Sequence, residues 1–313
     1  MKTVLKISIA SVLVFTTTIL SAQQNPMYTH YMYNTLEVNP AYAGSRDALT
    51  ITTLHRSQWV GFEGAPLNQT ISLHSPLRNE QVGVGLSLSN DRIGPINATS
   101  VFFNYAYIMQ IGEKSKLALG LSAGANIFQA NLTDLDLNEQ NDPAFSTNIS
   151  NTVTPNFGLG VYYHMENFYA GISTTNILQN SFSLVNPENE NVLIGKEQLH
   201  YFLITGALIK LSDNLDFKPT TLFKLTAAAP FQADLTASFV LMDRIILGAM
   251  WRSGDSAGIL LGFNITGQMF LGYSYDWSYG LKTGTYNSGS HEIVFRYDFI
   301  RNDDKQIHTP RNF

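Results

Sequence analysis

The chain of 313 residues has no cysteine. That absence excludes disulfides, zinc–thiolate sites, a cysteine nucleophile and a lipid-bearing cysteine anchor. Charge is scarce too: Asp, Glu, Lys and Arg make up 14% of the residues, against roughly 25% in an ordinary soluble domain. The formal net charge of -5 offers no basic footprint, so nucleic acid is not an expected partner. After residue 22 no stretch approaches the roughly 18 continuous apolar residues of a membrane-crossing helix. Catalytic signatures are missing as well. The 7 histidines are scattered with no His-Glu-x-x-His spacing, and there is no Gly-x-Ser-x-Gly elbow. Asp134-x-Asp136-x-Asn138 opens like a calcium loop, but Glu139 stands where the turn needs Gly and Phe145 where a bidentate Glu is needed. No metal, no cofactor and no enzymatic activity are therefore expected.

What is present is alternation. Met269, Leu271, Tyr273, Tyr275 and Trp277 share one parity, with Gly272, Ser274 and Asp276 on the other. Ile293, Phe295, Tyr297 and Phe299 likewise alternate with Glu292, Arg296 and Asp298. Side chains point to opposite faces along a strand, so each segment has one apolar and one polar face. At the other end, Lys2 and Lys6, the apolar Ile7–Leu20 and the small Ser21-Ala22 read as a secretory signal peptide over residues 1–22. Export, apolar-faced strands and 12% aromatics together predict an all-β fold: a single transmembrane antiparallel β-barrel, integral to the outer membrane and in contact with its lipid.

Fourteen strands are predicted: Ala48–Gln58, Leu67–His74, Gln81–Asn90, Ala98–Ile111, Ser115–Ala130, Val153–His164, Asn167–Thr175, Leu199–Leu211, Asn214–Leu225, Phe231–Met242, Asp243–Arg252, Ser256–Thr266, Gln268–Ser278 and Ser290–Ile300. The number is even, as bacterial outer-membrane barrels require. The odd links are the longer ones, among them Trp59–Pro66, Asp91–Asn97, Asn131–Thr152, Asn176–His200 and Thr226–Pro230. Short periplasmic turns alternating with longer external loops fit a barrel with both termini periplasmic. The expected organisation is a signal peptide (1–22), an irregular segment that plugs the lumen or meets periplasmic machinery (23–47), the barrel (48–300) and a tail (301–313).

Two groups of residues stand out. Asp276, Glu292, Arg296 and Asp298 fall on the luminal parity. Their mixed signs favour a paired plug or solvated wall charge over an ion-selective lining. Arg56, Gln58, Trp59, Phe62 and Pro66 surround the first external link. Aromatics beside Arg are typical protein-contact anchors, although Trp59 suits an interfacial aromatic belt equally well. Gly83/Gly85 and Gly158/Gly160 lie inside strands, so they read as close packing on the luminal face rather than as phosphate loops.

Four blocks resemble the PorP/SprF family, outer-membrane components of the type IX secretion system of the Bacteroidota. They are Gln24–Tyr28 with Asn39–Gly44, then Arg56–Pro66, then Gly83–Leu86 with Asn90–Pro95, and Tyr273–Asp276 with Gly289–Ile293. The closing Thr309–Phe313 is similar to the family's Pro-Arg-rich end, with Asn312 in place of an aromatic. The resemblance implies a role in secretion or cell-surface attachment of a large adhesin or other type IX substrate, alongside other subunits of the system, in some members linked to gliding motility. It transfers no site residue. A channel for small solutes is the alternative reading, resting on the Gly-rich luminal faces; an outer-membrane hydrolase has the least support.

Overall fold

Strand formation begins where the period-two pattern begins. In the computed structural model, which describes residues 26–78, 80–135, 147–185, 191–227, 229–279 and 285–300, fourteen wall strands close into an antiparallel barrel. In chain order the strands are β1 (Leu49–Ser57), β2 (Leu67–Pro76), β3 (Val82–Ile93), β4 (Ile96–Gln110), β5 (Ser115–Ala130), β6 (Ile149–Met165), β7 (Phe168–Thr175), β8 (Ser181–Val185), β9 (Asn191–Lys196), β10 (His200–Ala207), β11 (Ile209–Ser212), β12 (Leu215–Thr226), β13 (Ala229–Leu241), β14 (Ile245–Arg252), β15 (Ser256–Asn264), β16 (Met269–Ser278) and β17 (Ser290–Phe299). Closure is made by β1 and β17, in register from Leu49↔Phe299 to Ser57↔His291. The predicted strand Leu199–Leu211 is β10 and β11, interrupted at Leu208. There β10 pairs with both β7 and β12, and β11 with β12. The signal peptide, the tail, Gln24, Asn25 and the calcium-like positions Asp136, Asn138, Glu139 and Phe145 lie outside the described residues.

Three expectations about the links need correction. Asn176–His200 contains an unforeseen hairpin, β8–β9. The links Asp91–Asn97 and Thr226–Pro230 are not long loops. Pairing of β3 with β4 continues to Ile93↔Ile96, closing on Gly94-Pro95 with Gly94 at φ 52. Pairing of β12 with β13 runs to Thr226↔Ala229. Asp91, Arg92 and Asn97 are polar, which ends an apolar pattern but does not end a ladder of backbone hydrogen bonds. At the opposite rim the tight turns are as expected. Met242 and Asp243 both have positive φ (51 and 57), and Arg244 N–H donates to Leu241 O at 3.0 Å, the backbone of a primed hairpin turn.

The wall sorts its residues by parity. Val84, Phe103, Tyr105, Leu119, Leu121 and Ile172 point outward and are exposed, Phe103 at 67%. On the same strands Asn104 and Ser122 point inward and are buried. Trp251 and Trp277 flank Ala257 across β14–β16 near the external end, both exposed, as in an aromatic girdle.

Residues 26–47 run inside the barrel. Two short 3-10 turns, Thr35–Glu37 and Pro40–Tyr42, shape them, the second capped by Asn39, whose side chain accepts from Ala41 N. Met27 through Leu36 and Val38 through Arg46 are buried. The path begins in the external half of the lumen, where Thr29 meets Asp276, and ends at the periplasmic rim, where Arg46 meets Asp298. The described chain thus starts at the rim that carries the longer links and crosses the lumen to the rim of the tight turns. Glycines on the wall make room for it: a Cβ on Gly83, Gly120 or Gly160 would fall 2.0–2.1 Å from Ala43 O, Ala41 N or Asn39 Oδ1. The luminal-face packing expected of Gly83 and Gly160 is therefore packing against this segment, the Ala43 backbone for Gly83 and the Asn39 side chain for Gly160.

Candidate functional site: a latched luminal segment and the rim above it

Three ionic anchors hold the segment. The first lies under the closing seam, where Leu54 and Arg56 of β1 face Val294 and Glu292 of β17. Arg56 Nη1 donates to Asp276 Oδ2 at 2.7 Å, Glu292 Oε2 at 3.2 Å and Thr29 Oγ1 at 3.1 Å. Glu292 in turn accepts from the backbone N–H of Thr29 (2.9 Å) and His30 (2.7 Å), and its Oε1 lies 2.8 Å from His30 Nδ1. Thr29 Oγ1 donates to Asp276 Oδ2 at 2.6 Å. One carboxylate thereby satisfies two consecutive backbone donors that have no strand partner, which is what an irregular buried segment requires.

The second anchor lies at the periplasmic end. Arg46 holds Asp298 through two parallel bonds, Nε to Oδ1 at 3.1 Å and Nη2 to Oδ2 at 2.7 Å, and Thr50 Oγ1 donates to the same carboxylate at 2.7 Å. The bidentate geometry fixes orientation as well as distance. Arg296 lies 3.8 Å from Asp298 and spreads over the ring of Phe270 at 5.4 Å. Tyr33 stacks on Phe270 with centroids 4.3 Å apart, and Lys218 Nζ sits 4.3 Å from the Tyr33 ring centre, a desolvated cation–π contact. The third anchor is Arg252, which grips Asp234 at 2.8–3.0 Å and donates to Tyr28 O at 3.2 Å.

Neutral contacts complete the circuit. Asn34 exchanges hydrogen bonds with Thr70 and Ser72 on β2 at 2.8 and 2.9 Å. Val38 O accepts from Ser173 on β7 at 2.6 Å, and Asn39 donates to Val161 O on β6 at 3.1 Å. The segment is bonded to wall strands on several sides of the lumen, not laid against one of them. Among the described residues no group of three or more His, Asp or Glu side chains is placed to hold a metal ion.

Asp276, Glu292, Arg296 and Asp298 all face the lumen and are buried, divided between the first two anchors. His30, Arg46, Asp234 and Arg252 were not singled out from sequence. Isolated charges on small-residue tracks were the available signal for the last two. The rim group separates. Arg56 is 1% exposed and belongs to the first anchor, so its place as an external contact is corrected: its side chain points inward and is spent on Asp276 and Glu292. Pro66 is buried and its carbonyl accepts from Gln58 N–H at 3.0 Å, closing the base of the loop. Trp59 is half-buried at φ 50, its N–H donating to Ser290 Oγ. Val60 exchanges backbone hydrogen bonds of 2.8 Å with Ser288 and Gly289. The first loop is thus stitched to the loop preceding β17, with Phe62 46% exposed at its tip.

Over residues 20–297 the chain matches the family described as type IX secretion system membrane protein PorP/SprF. No curated protein matches it. Among solved structures it is similar to the outer membrane protein Omp33 of Acinetobacter baumannii, at 9% identity and a TM-score of 0.46, covering 82% of this chain and 100% of that one. It is also similar to a FadL homologue of Pseudomonas aeruginosa, at 11% identity and a TM-score of 0.48, covering 84% and 93%.

Proposed function

Since the chain belongs to the PorP/SprF family of type IX secretion system membrane proteins, an outer-membrane component of that system, we propose that it is a non-enzymatic subunit that assists secretion or surface attachment of a large adhesin-like substrate together with other subunits. In cells that glide, the retained adhesin would serve that movement. One observation carries the reading: the lumen is occupied by residues 26–47, latched by Arg46, Arg56 and Arg252. A passive solute pore gains nothing from filling its own bore, whereas a docking platform gains rigidity beneath its rim. In this reading 1–22 is removed on export, the segment from 23 to 47 is the plug, 48–300 the barrel and 301–313 the tail.

The contact surface is assigned to the rim loop, with Phe62 and Trp59 as anchors and Gln58 beside them. Trp59→Ala with Phe62→Ala should release a co-purifying adhesin or secretion subunit while the barrel still assembles. Undiminished recovery of that partner from the double variant would sink the rim assignment. The competing channel reading is tested separately in planar bilayers, where steady conductance by the wild-type protein would favour it.

A further inference from the structure

The lumen is not evenly filled. Between the luminal segment and the external halves of β3–β6 lies a cavity of about 510 Å³, within the ~300–1,000 Å³ range of small-ligand sites. Its walls are mainly apolar, with Leu36 and Val38 on the segment side and Phe102, Ile127 and Phe202 on the barrel side. Strand-end residues Ile93, Ile96 and Asn176 place it toward the external rim.

Three carboxylates line it, Glu37, Asp91 and Glu197, and among the described residues no Lys, Arg or His does. The contrast with the rest of the lumen is sharp. Asp234, Asp276, Glu292 and Asp298 each meet an arginine. Glu197 is buried yet held by neutral donors: Asn126 (2.6 Å), Asn156 (2.8 Å), Asn180 (2.7 Å) and Thr154 (3.2 Å). Asp91 accepts from the Asn68 amide. The Oε2 atom of Glu37 is buried and has no hydrogen-bond partner. Buried carboxylates are stable as anions only when a cation or several donors face them. Each of the three has at least one neutral donor, Glu37 only Ser89 and on one oxygen alone, and among the described residues lining the cavity none is a cation.

We propose that the cavity binds an organic cation with an apolar body: a protonated amine or guanidinium on an aromatic or aliphatic frame, its charge beside Glu37 and its body against Phe102 and Phe202. The site does not depend on the secretion role. Its ligand could be a free small amine or a basic side chain flanked by aromatics on a polypeptide outside the cell, and the test separates them.

The full-length protein in lipid nanodiscs is titrated calorimetrically with tryptamine, with indole-3-propionate as the anion of similar body, and with a blocked Phe-Lys-Phe peptide. Binding of tryptamine or of the peptide, with indole-3-propionate at least tenfold weaker, is the expected result. Tryptamine alone identifies a free-amine site, the peptide alone a polypeptide site. Glu37→Gln should weaken binding by about tenfold, the scale of one charge-assisted contact. Ala98→Trp, which fills the cavity from β4, should abolish it in protein that still migrates as a folded barrel. Lowering the pH from 8 to 5 should also weaken binding. Protonating the carboxylates removes the negative charge that faces the ligand, and tryptamine stays protonated across that range. Besides Glu37, the titratable groups facing the cavity are Asp91, Glu197, Tyr28 and Tyr31. Failure of both cations to bind, equal binding of indole-3-propionate, or unchanged affinity in Glu37→Gln overturns the proposal.

Discussion

The first anchor can be tested by the change Glu292→Gln. In the native lumen the carboxylate receives Thr29 N–H, His30 N–H, the His30 ring and Arg56, at 2.7–3.2 Å. The amide keeps one acceptor oxygen but presents an NH2 group to a neighbourhood made of donors. It also leaves Arg56 with Asp276 as its sole ionic partner. Deleting one member of a buried ion pair costs ~3–5 kcal/mol; with one acceptor retained, about 2–3 kcal/mol is the expected loss. The barrel wall keeps its ladders, so the loss appears as local opening of the segment rather than unfolding. The absence of native cysteine supplies the assay. Thr35, 1% exposed, becomes the only thiol in Thr35→Cys, and maleimide reaches it only when the segment opens. At 1.4 kcal/mol per factor of ten, the labelling rate should rise roughly 30- to 140-fold when Glu292→Gln is added. Equal labelling with and without Glu292→Gln, in protein with native β-sheet content, would refute the claim that this carboxylate latches the segment.

Gly120→Val should raise labelling of Thr35→Cys without disturbing the outer wall. Its Cβ would sit 2.1 Å from Ala41 N, and relieving such overpacking costs ~1–3 kcal/mol. Leu119→Ala, on the lipid-facing side of the same strand, is the control that leaves labelling unchanged. Asp234→Ala leaves the buried Arg252 with Asp255, at 3.4 Å, as its remaining carboxylate and should lower the urea midpoint of unfolding, by an amount equivalent to about 3 kcal/mol. Lys114→Ala removes an ion pair with Glu166 whose partners are both more than half exposed, and the same midpoint should not move.

The wall was readable because lipid on one side and a small-residue lumen on the other force a period of two. Met269 to Trp277 and Ile293 to Phe299 carry that period cleanly, and both lie where expected. Strand β1 does not. Thr50, Thr52, Leu54 and Arg56 face inward, and Ile51, Thr53, His55 and Ser57 outward, so each face mixes apolar with polar. Nothing in that stretch alone assigns Arg56 a side, and its neighbours Trp59 and Phe62 drew it toward the rim. The luminal segment was unreadable for another reason. Its hydrogen-bond partners stand tens to hundreds of residues away, 36 for Asn34 with Thr70 and 262 for His30 with Glu292, and no local periodicity encodes such a contact. The hairpin β8–β9 was missed inside a long link whose composition resembles a loop.

The scarcity of charge has its explanation in these same anchors. A wall facing lipid excludes charge, because a Lys or Arg at mid-bilayer costs ~2–4 kcal/mol. Charges inside the wall are therefore confined to the inner parity, where they are buried and must be matched. Arg46 with Asp298, Arg56 with Asp276 and Glu292, and Arg252 with Asp234 satisfy that demand, and the first two pairs straddle the segment and the seam between β1 and β17. Closure of the barrel and seating of the segment are thereby coupled. The strand that completes the wall carries Glu292 and Asp298, the groups that receive the segment. A change confined to either residue should loosen the plug before it loosens the wall, because β1 and β17 remain joined by nine residue pairs of backbone register. Outward substitutions such as those at Phe103 or Leu121 should act in the opposite order, on membrane insertion first.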